Sequence, residues 1–319
     1  LRHFRYMLVI ALFAFAATPV LAEGEDRLTG RGMSHEFQAT LGYGRITANE
    51  LVYRGAGDER LSHLIWEAST LVATLSTRFD LGNAWALSGQ AMFGVNGRGD
   101  MTDYDWLAPF AKGTSDHQWT DRSQHPDSQL DHYFDLELAV GRDFDLNEAT
   151  QVNLHGGLKY TWIEWHARGG RYIYSDNNFR DARGSFPDGE VGVSYKQQRR
   201  TVFVGAEMIR EQGDWRLSGL LRAGLSVNPK AVDHHWLRNI RFDERFSSSP
   251  FFQIGLAAER QLENQMWLHV GAGYQKFFRE RGDTRLSAIR TGQKQGIYDN
   301  SVGADLSVAT IDIGIRREF

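Results

Sequence analysis

The sequence predicts a transmembrane antiparallel β-barrel of about ten strands with long extracellular loops. Three observations predict it. Apolar residues recur with period two in tracks about as long as a tilted strand crossing a bilayer, the connections alternate between short and long, and an aromatic residue ends the last alternating track.

The start segment, residues 1–22, sets Arg2 and Arg5 before an apolar run from Met7 to Ala17, then Val20-Leu21-Ala22 and an acidic stretch. That is the three-part layout of a secretory signal cleaved after Ala22, which leaves 23–319 as the barrel domain. A spanning anchor would need roughly 20 apolar residues, more than this run supplies.

Candidates for the first strand pair are His35 to Tyr53 and Leu64 to Phe79. One face of the next track reads Trp85, Leu87, Gly89, Ala91, Phe93 and Val95, with Ser88, Gln90 and Asn96 opposite. Further tracks run through Phe134, Leu136, Leu138 and Val140; through Val152, Leu154, Leu158, Tyr160 and Trp162; and from Trp215 to Val227. The last third adds Phe252 to Ala258, Met266 to Tyr274, and Ala309, Ile311, Ile313, Ile315 and the terminal Phe319. Arg317 interrupts that final apolar parity.

Short polar turns fall at Asp80 to Asn83, Asp145 to Ala149, Glu211 to Asp214 and Gln261 to Asn264. Long connections are expected over Arg98 to Leu130, Gly169 to Gly189, Asn228 to Ser249 and Gly282 to Asp299. Short turns at one end and long loops at the other are the outer-membrane pattern. A secreted β-sandwich also alternates, but it needs neither tracks this long nor Trp85, Tyr160, Trp162, Trp215 and Tyr274 near the track ends, where interfacial girdles sit.

With no Cys among 319 residues, disulfide scaffolds, thiolate metal sites and thiol nucleophiles are excluded. The net charge of −4 becomes −6 without Arg2 and Arg5, which argues against nucleic acid as a partner. The basic run from Lys196 to Arg200 reads as a charged strand end.

Two acidic motifs fall in the long connections: Asp103-Tyr104-Asp105 and Asp233-His234-His235. On extended backbone, residues i and i+2 share a face, so each of Asp103/Asp105 and Asp233/His235 can point together into a cleft while His234 turns away. Two close carboxylates raise one pKa until a proton or water network is shared, and a carboxylate beside an imidazole orients it and favours its protonated form. The pairs together suit a water activated by the His and delivered to a carbonyl, with no covalent intermediate. Each pair alone has a plainer reading: Asp-x-Asp binds solvent or a cation, and Asp-His-His can be half a metal site. No metal and no cofactor is assigned.

The chain resembles the omptin family, ten-stranded outer-membrane proteases. The resemblance rests on WTDRSQHPDSQL at Trp119 to Leu130, with Ser128 where Thr is usual, and on GDMTDYDW at Gly99 to Trp106. ARGGRYIYS at Ala167 to Ser175 and FRDARGSFPDGE at Phe179 to Glu190, followed by Tyr195-Lys196-Gln197, extend it in family order. It implies a monomeric endopeptidase in the outer membrane with its active site facing the exterior. Asp103 and Asp105 would be the catalytic couple and Asp233 and His235 the dyad. Glu50 would be the acid at the base of the S1 pocket and Asp121 an acid on the S1′ side, selecting cationic polypeptide substrates. The resemblance expects a second S1 acid where Ala231 stands, so the preference for basic residues could be looser or shifted. It also expects a lipopolysaccharide site of Tyr, Glu and Arg where this chain has Leu158, Tyr160 and Trp162, so any lipopolysaccharide dependence would have to use other basic residues or be absent.

Two other functions compete. A lipid hydrolase would need a Ser-His pair at the membrane face, and no Ser has such a partner in an obvious register. A non-enzymatic adhesin or small pore fits the long loops and the altered Ala231, but not the two intact acidic pairs.

Overall fold

The structure is a computed structural model that describes residues 34–319 except 56 and 264; the expected signal segment lies outside the described residues. Its strands are β1 (His35–Tyr53), β2 (Arg60–Gly82), β3 (Trp85–Asp105), β4 (Asp121–Asn147), β5 (Thr150–Arg168), β6 (Arg171–Tyr174), β7 (Ala182–Ser185), β8 (Val191–Gln212), β9 (Trp215–His235), β10 (Ile240–Phe246), β11 (Ser248–Gln261), β12 (Met266–Ala288) and β13 (Lys294–Glu318). Strands β10 and β11 form one stave interrupted at Ser247, since both lie between β9 and β12. Strands β6 and β7 make a small hairpin on the upper end of β4. The other strands pair antiparallel with their neighbours, and β3 against β4 closes the ring. Ten staves result, as the tracks predict.

The apolar parity faces outward, as lipid requires. Leu41, Leu71, Leu138, Leu158, Val204, Leu221, Val270 and Ile311 are all exposed on the wall. Trp85, Trp215 and Tyr274 lie toward the ends of this belt, where amphipathic rings suit the headgroup level. On β1 the belt gives way at Arg45, whose guanidinium pairs with Glu67 on β2 at 2.9 Å. Arg317 lies over the ring of Phe319, 4.7 Å from its centroid, so its break in parity places a cation at the membrane edge.

One expectation needs correcting. The long segments are mostly wall, not loop. Strand β3 continues to Asp105 and β4 begins at Asp121, β9 reaches His235 with β10 starting at Ile240, and β12 and β13 are separated only by 289–293. The segment from Gly169 to Gly189 carries β6 and β7. Above the lipid belt the outward positions meet water, so on β3 they become Arg98, Asp100, Thr102 and Tyr104. Apolar alternation disappears there while backbone pairing goes on.

The lumen is filled in two layers. Toward the short turns it holds ion pairs: Lys159 lies 2.8 Å from Asp135 and 2.5 Å from Glu137, Arg222 also pairs with Glu137, and Arg316 reaches Glu259 at 2.9 Å. Above them Ile46, Leu64, Trp66, Met101, Leu130, Tyr133, Trp165, Tyr195, Phe246 and Phe277 pack into an apolar core. A lumen plugged this way supports a site at its mouth rather than a pore.

Candidate active site

The site depends on a change of parity. Along β3, odd-numbered Phe93 and Val95 face lipid, yet odd-numbered Met101 and Asp103 are buried in the lumen. Between them Asn96 adopts a left-handed backbone (φ 54°), and the pairing of β2 with β3 slips between Ser69 and Val72. Strand β9 repeats the device: Leu225 and Val227 face lipid, Asn228 has φ 47°, the β8 register slips between Gln198 and Arg200, and Ala231 and Asp233 then point inward. A single extra residue turns every later side chain to the other face. Asn tolerates the left-handed region better than most residues with a Cβ. Without these two bulges both acidic pairs would face outward.

Strands β3 and β9 stand on different sides of the ring, separated by β4, β5 and β8. Asp103 and Asp105 therefore face Asp233 and His235 across the mouth. Nε2 of His235 lies 2.7 Å from Oδ2 of Asp233, and Ser62 on β2 donates to Oδ1 of Asp103 at 2.9 Å. His234 leaves the lumen, as expected, and stacks on Trp236 with ring centroids 4.8 Å apart.

The charges in the two walls interact. Burial works to depress the His235 imidazole, but the charge and hydrogen bond of Asp233, with Asp103 adding, raise its pKa above the usual histidine value. Burial raises Asp103, while the His235 charge, the Ser62 hydrogen bond and Arg238 partly oppose it. Burial and then the charge of Asp103 push Asp105 well above the usual carboxylate range. The Asp pair therefore retains a proton where isolated carboxylates would not, and each wall biases the ionisation of the other.

The structure adds four residues that the sequence did not single out. Ser62 is one. Arg238, in the short 3-10 turn Trp236–Arg238, bears on both Asp carboxyls and on Tyr174 of β6. Burial raises the Tyr174 hydroxyl, with Arg238 opposing and Asp103 and Asp105 reinforcing, and pushes its pKa up to about 12. The fourth is Glu244. It lies on β10 directly across from Ala231 and is 1% exposed. Its only sequence signal was an acid on the inward parity between two aromatic positions, Phe242 and Phe246.

Glu50 lies beneath the two pairs, in the row that runs through Leu64 to Asp103. Burial, followed by the charges of Asp233, Glu244 and Asp103, pushes Glu50 well above the usual carboxylate range. Burial and then the charge of Asp233 push Glu244 up to about 8. Neither oxygen of Glu244 nor Oε2 of Glu50 finds a hydrogen-bond partner in the protein.

Asp121 sits at the top of β4 across from Asp105, with its Oδ1 accepting from the backbone N–H of Ser175 at 2.9 Å. Arg180 clamps the same region, donating to the carbonyl of Trp119 at 2.6 Å and lying 3.4 Å from the centre of its ring. Three of the sequence stretches that carry the family resemblance thus meet through Trp119, Asp121, Ser175 and Arg180. Among the described residues no group of three or more His, Asp or Glu side chains is arranged to hold a metal.

Known proteins share this architecture. Protease 7 of Escherichia coli strain K12 is 27% identical over 289 residues, covering 87% of this chain and 86% of the relative. The plasminogen activator of Yersinia pestis is 23% identical over 275 residues, covering 85% of each. The crystal structure of the outer membrane protease OmpT from Escherichia coli shares the fold with a TM-score of 0.83, at 21% identity, over 92% of this chain and all of that one. The Omptin family model matches residues 33–319, and the chain belongs to that family of outer-membrane β-barrel proteases.

Proposed function

We propose that this chain is an endopeptidase that cleaves next to basic residues, using a water held between Asp103 and Asp105 on one wall and Asp233 and His235 on the other. The observation that carries this reading is the facing of the two walls, with Asp103 and His235 each shifting the other's ionisation. His235 is the general base, held in one orientation by Asp233, and takes a proton as the water attacks the scissile carbonyl. The Asp pair positions the water, and the proton it retains can pass to the carbonyl oxygen or the leaving amine. No covalent intermediate is required.

Glu50 is the acid at the base of the S1 pocket and Asp121 contributes on the S1′ side. A carboxylate buried at either place discriminates against an uncharged side chain, which would leave it unpaired. The acidic mouth steers cationic peptides, an attraction that salt weakens. Lipopolysaccharide is a further candidate partner, although Leu158, Tyr160 and Trp162 on the outer wall offer no basic group other than through their neighbours.

The test is cleavage of a dibasic fluorogenic peptide by purified protein in detergent, with and without lipopolysaccharide. Asp103→Ala and His235→Ala are each expected to lower kcat by about a hundredfold or more, the lower bound for losing a positioned base. Undiminished cleavage by both variants would remove the proposed centre and leave an adhesive barrel as the better reading.

A further inference from the structure

The deepest part of the mouth contains more acid than catalysis uses. Glu50 and Glu244 are each 1% exposed, and three of their four carboxyl oxygens find no hydrogen-bond partner. Oδ1 of Asp233, just above them, is also without a donor. On β12, Thr284 stands directly across from Glu244, 3% exposed, with its own hydroxyl unpartnered. Four buried polar groups from four staves lack partners in one place. Buried acids are otherwise paired with cations, because an isolated buried charge is expensive.

The surroundings complete a receptor for one cation. Ala231, across from Glu244, is the smallest inward side chain of that row. Tyr195 lies near both acids, and its ring stacks with Trp66 at 6.0 Å and with Trp165 at 6.4 Å. Aromatic faces beside paired carboxylates suit a guanidinium or alkylammonium group. The charged and titratable groups that face the pair are Asp233 from β9, Asp103 from β3 and Tyr195 from β8, with Arg199 lower on β8, held by Gln197 at 3.0 Å.

We propose that Glu244 is a specificity-determining residue, which together with Glu50 grips the guanidinium or ammonium of the substrate side chain that precedes the scissile bond. The carboxylate that the family resemblance expects at position 231 is supplied instead from the adjacent strand. Its assignment to that side chain rests on the endopeptidase reading, but capture of a cation does not. An entering cation pairs with both carboxylates.

Calorimetry with agmatine, a free alkylguanidinium, on the full chain in detergent tests this without requiring turnover. Wild type is expected to bind one agmatine, Glu244→Gln to weaken binding at least tenfold, and the double variant Ala231→Asp/Glu244→Gln to recover most of the loss. Equal affinity in wild type and Glu244→Gln would overturn the proposal. In parallel, Glu244→Gln should lower kcat/KM for peptides with Arg before the cleaved bond at least tenfold relative to peptides with norleucine there. Agmatine binding that depends on Glu244 in a protein that cleaves no peptide would defeat the endopeptidase reading and leave the cation pocket standing.

Discussion

Two regions of the same lumen bury charge in opposite ways. Near the short turns each named carboxylate has a cation: Asp135 and Glu137 share Lys159, Arg222 adds to Glu137, and Glu259 has both Arg316 and His269. At the mouth, Glu50, Glu244 and Asp233 keep oxygens with no protein donor, and Arg238, which acts on the Asp pair, comes from a short turn and not from the wall. The difference separates scaffold from chemistry. Charges that complete one another hold staves together, whereas acids left short of partners are arranged for something that arrives.

The contrast can be broken at several points. The largest stability effect is expected at Lys159→Met, which strips Asp135 of its cation and costs about 3–5 kcal/mol, as for other broken buried pairs. Urea unfolding in lipid vesicles checks this, and activity per folded molecule should remain close to wild type. Next comes Asn228→Val, which forces a β-branched residue into the left-handed region at a cost of about 1–2 kcal/mol. It should also lower kcat by loosening Asp233 and His235, while Asn228→Gly retains both stability and turnover. A Val variant as active as the Gly variant would show that the bulge is not what aims the dyad.

The smallest expected effect is a displacement along the pH axis. His235 is raised above its usual value because Asp233 outweighs burial, so the active neutral imidazole accumulates only as pH rises through that raised value. In Asp233→Asn the opposing effect of burial remains and the support is gone. The acidic limb of kcat/KM should therefore move to lower pH even as the maximum falls. A limb that stays in place would mean that a group other than His235 limits the rate on the acid side.

Much of this architecture was legible in the sequence because lipid imposes a visible rule: outward residues such as Leu136, Leu138 and Val140 must be apolar. The upper wall was not legible for the converse reason. Once Arg98 and Asp100 face water, nothing in composition distinguishes a strand from a loop. The pairing of Asp103 with Asp105 and of Asp233 with His235 on common faces followed from spacing alone, but which face they took did not. That was decided by Asn96 and Asn228, each a single residue in an unremarkable polar context. Glu244 escaped notice because its meaning lies in a cross-strand neighbour, Ala231, and in Glu50 far away in the chain.

A double-mutant cycle on kcat tests the central claim most directly. If Asp103 and His235 act on one water, Asp103→Ala/His235→Ala should be scarcely slower than either single variant, since removing one already disables the unit. Losses that multiply in the double variant would mean that the two walls act independently and would contradict a shared catalytic centre.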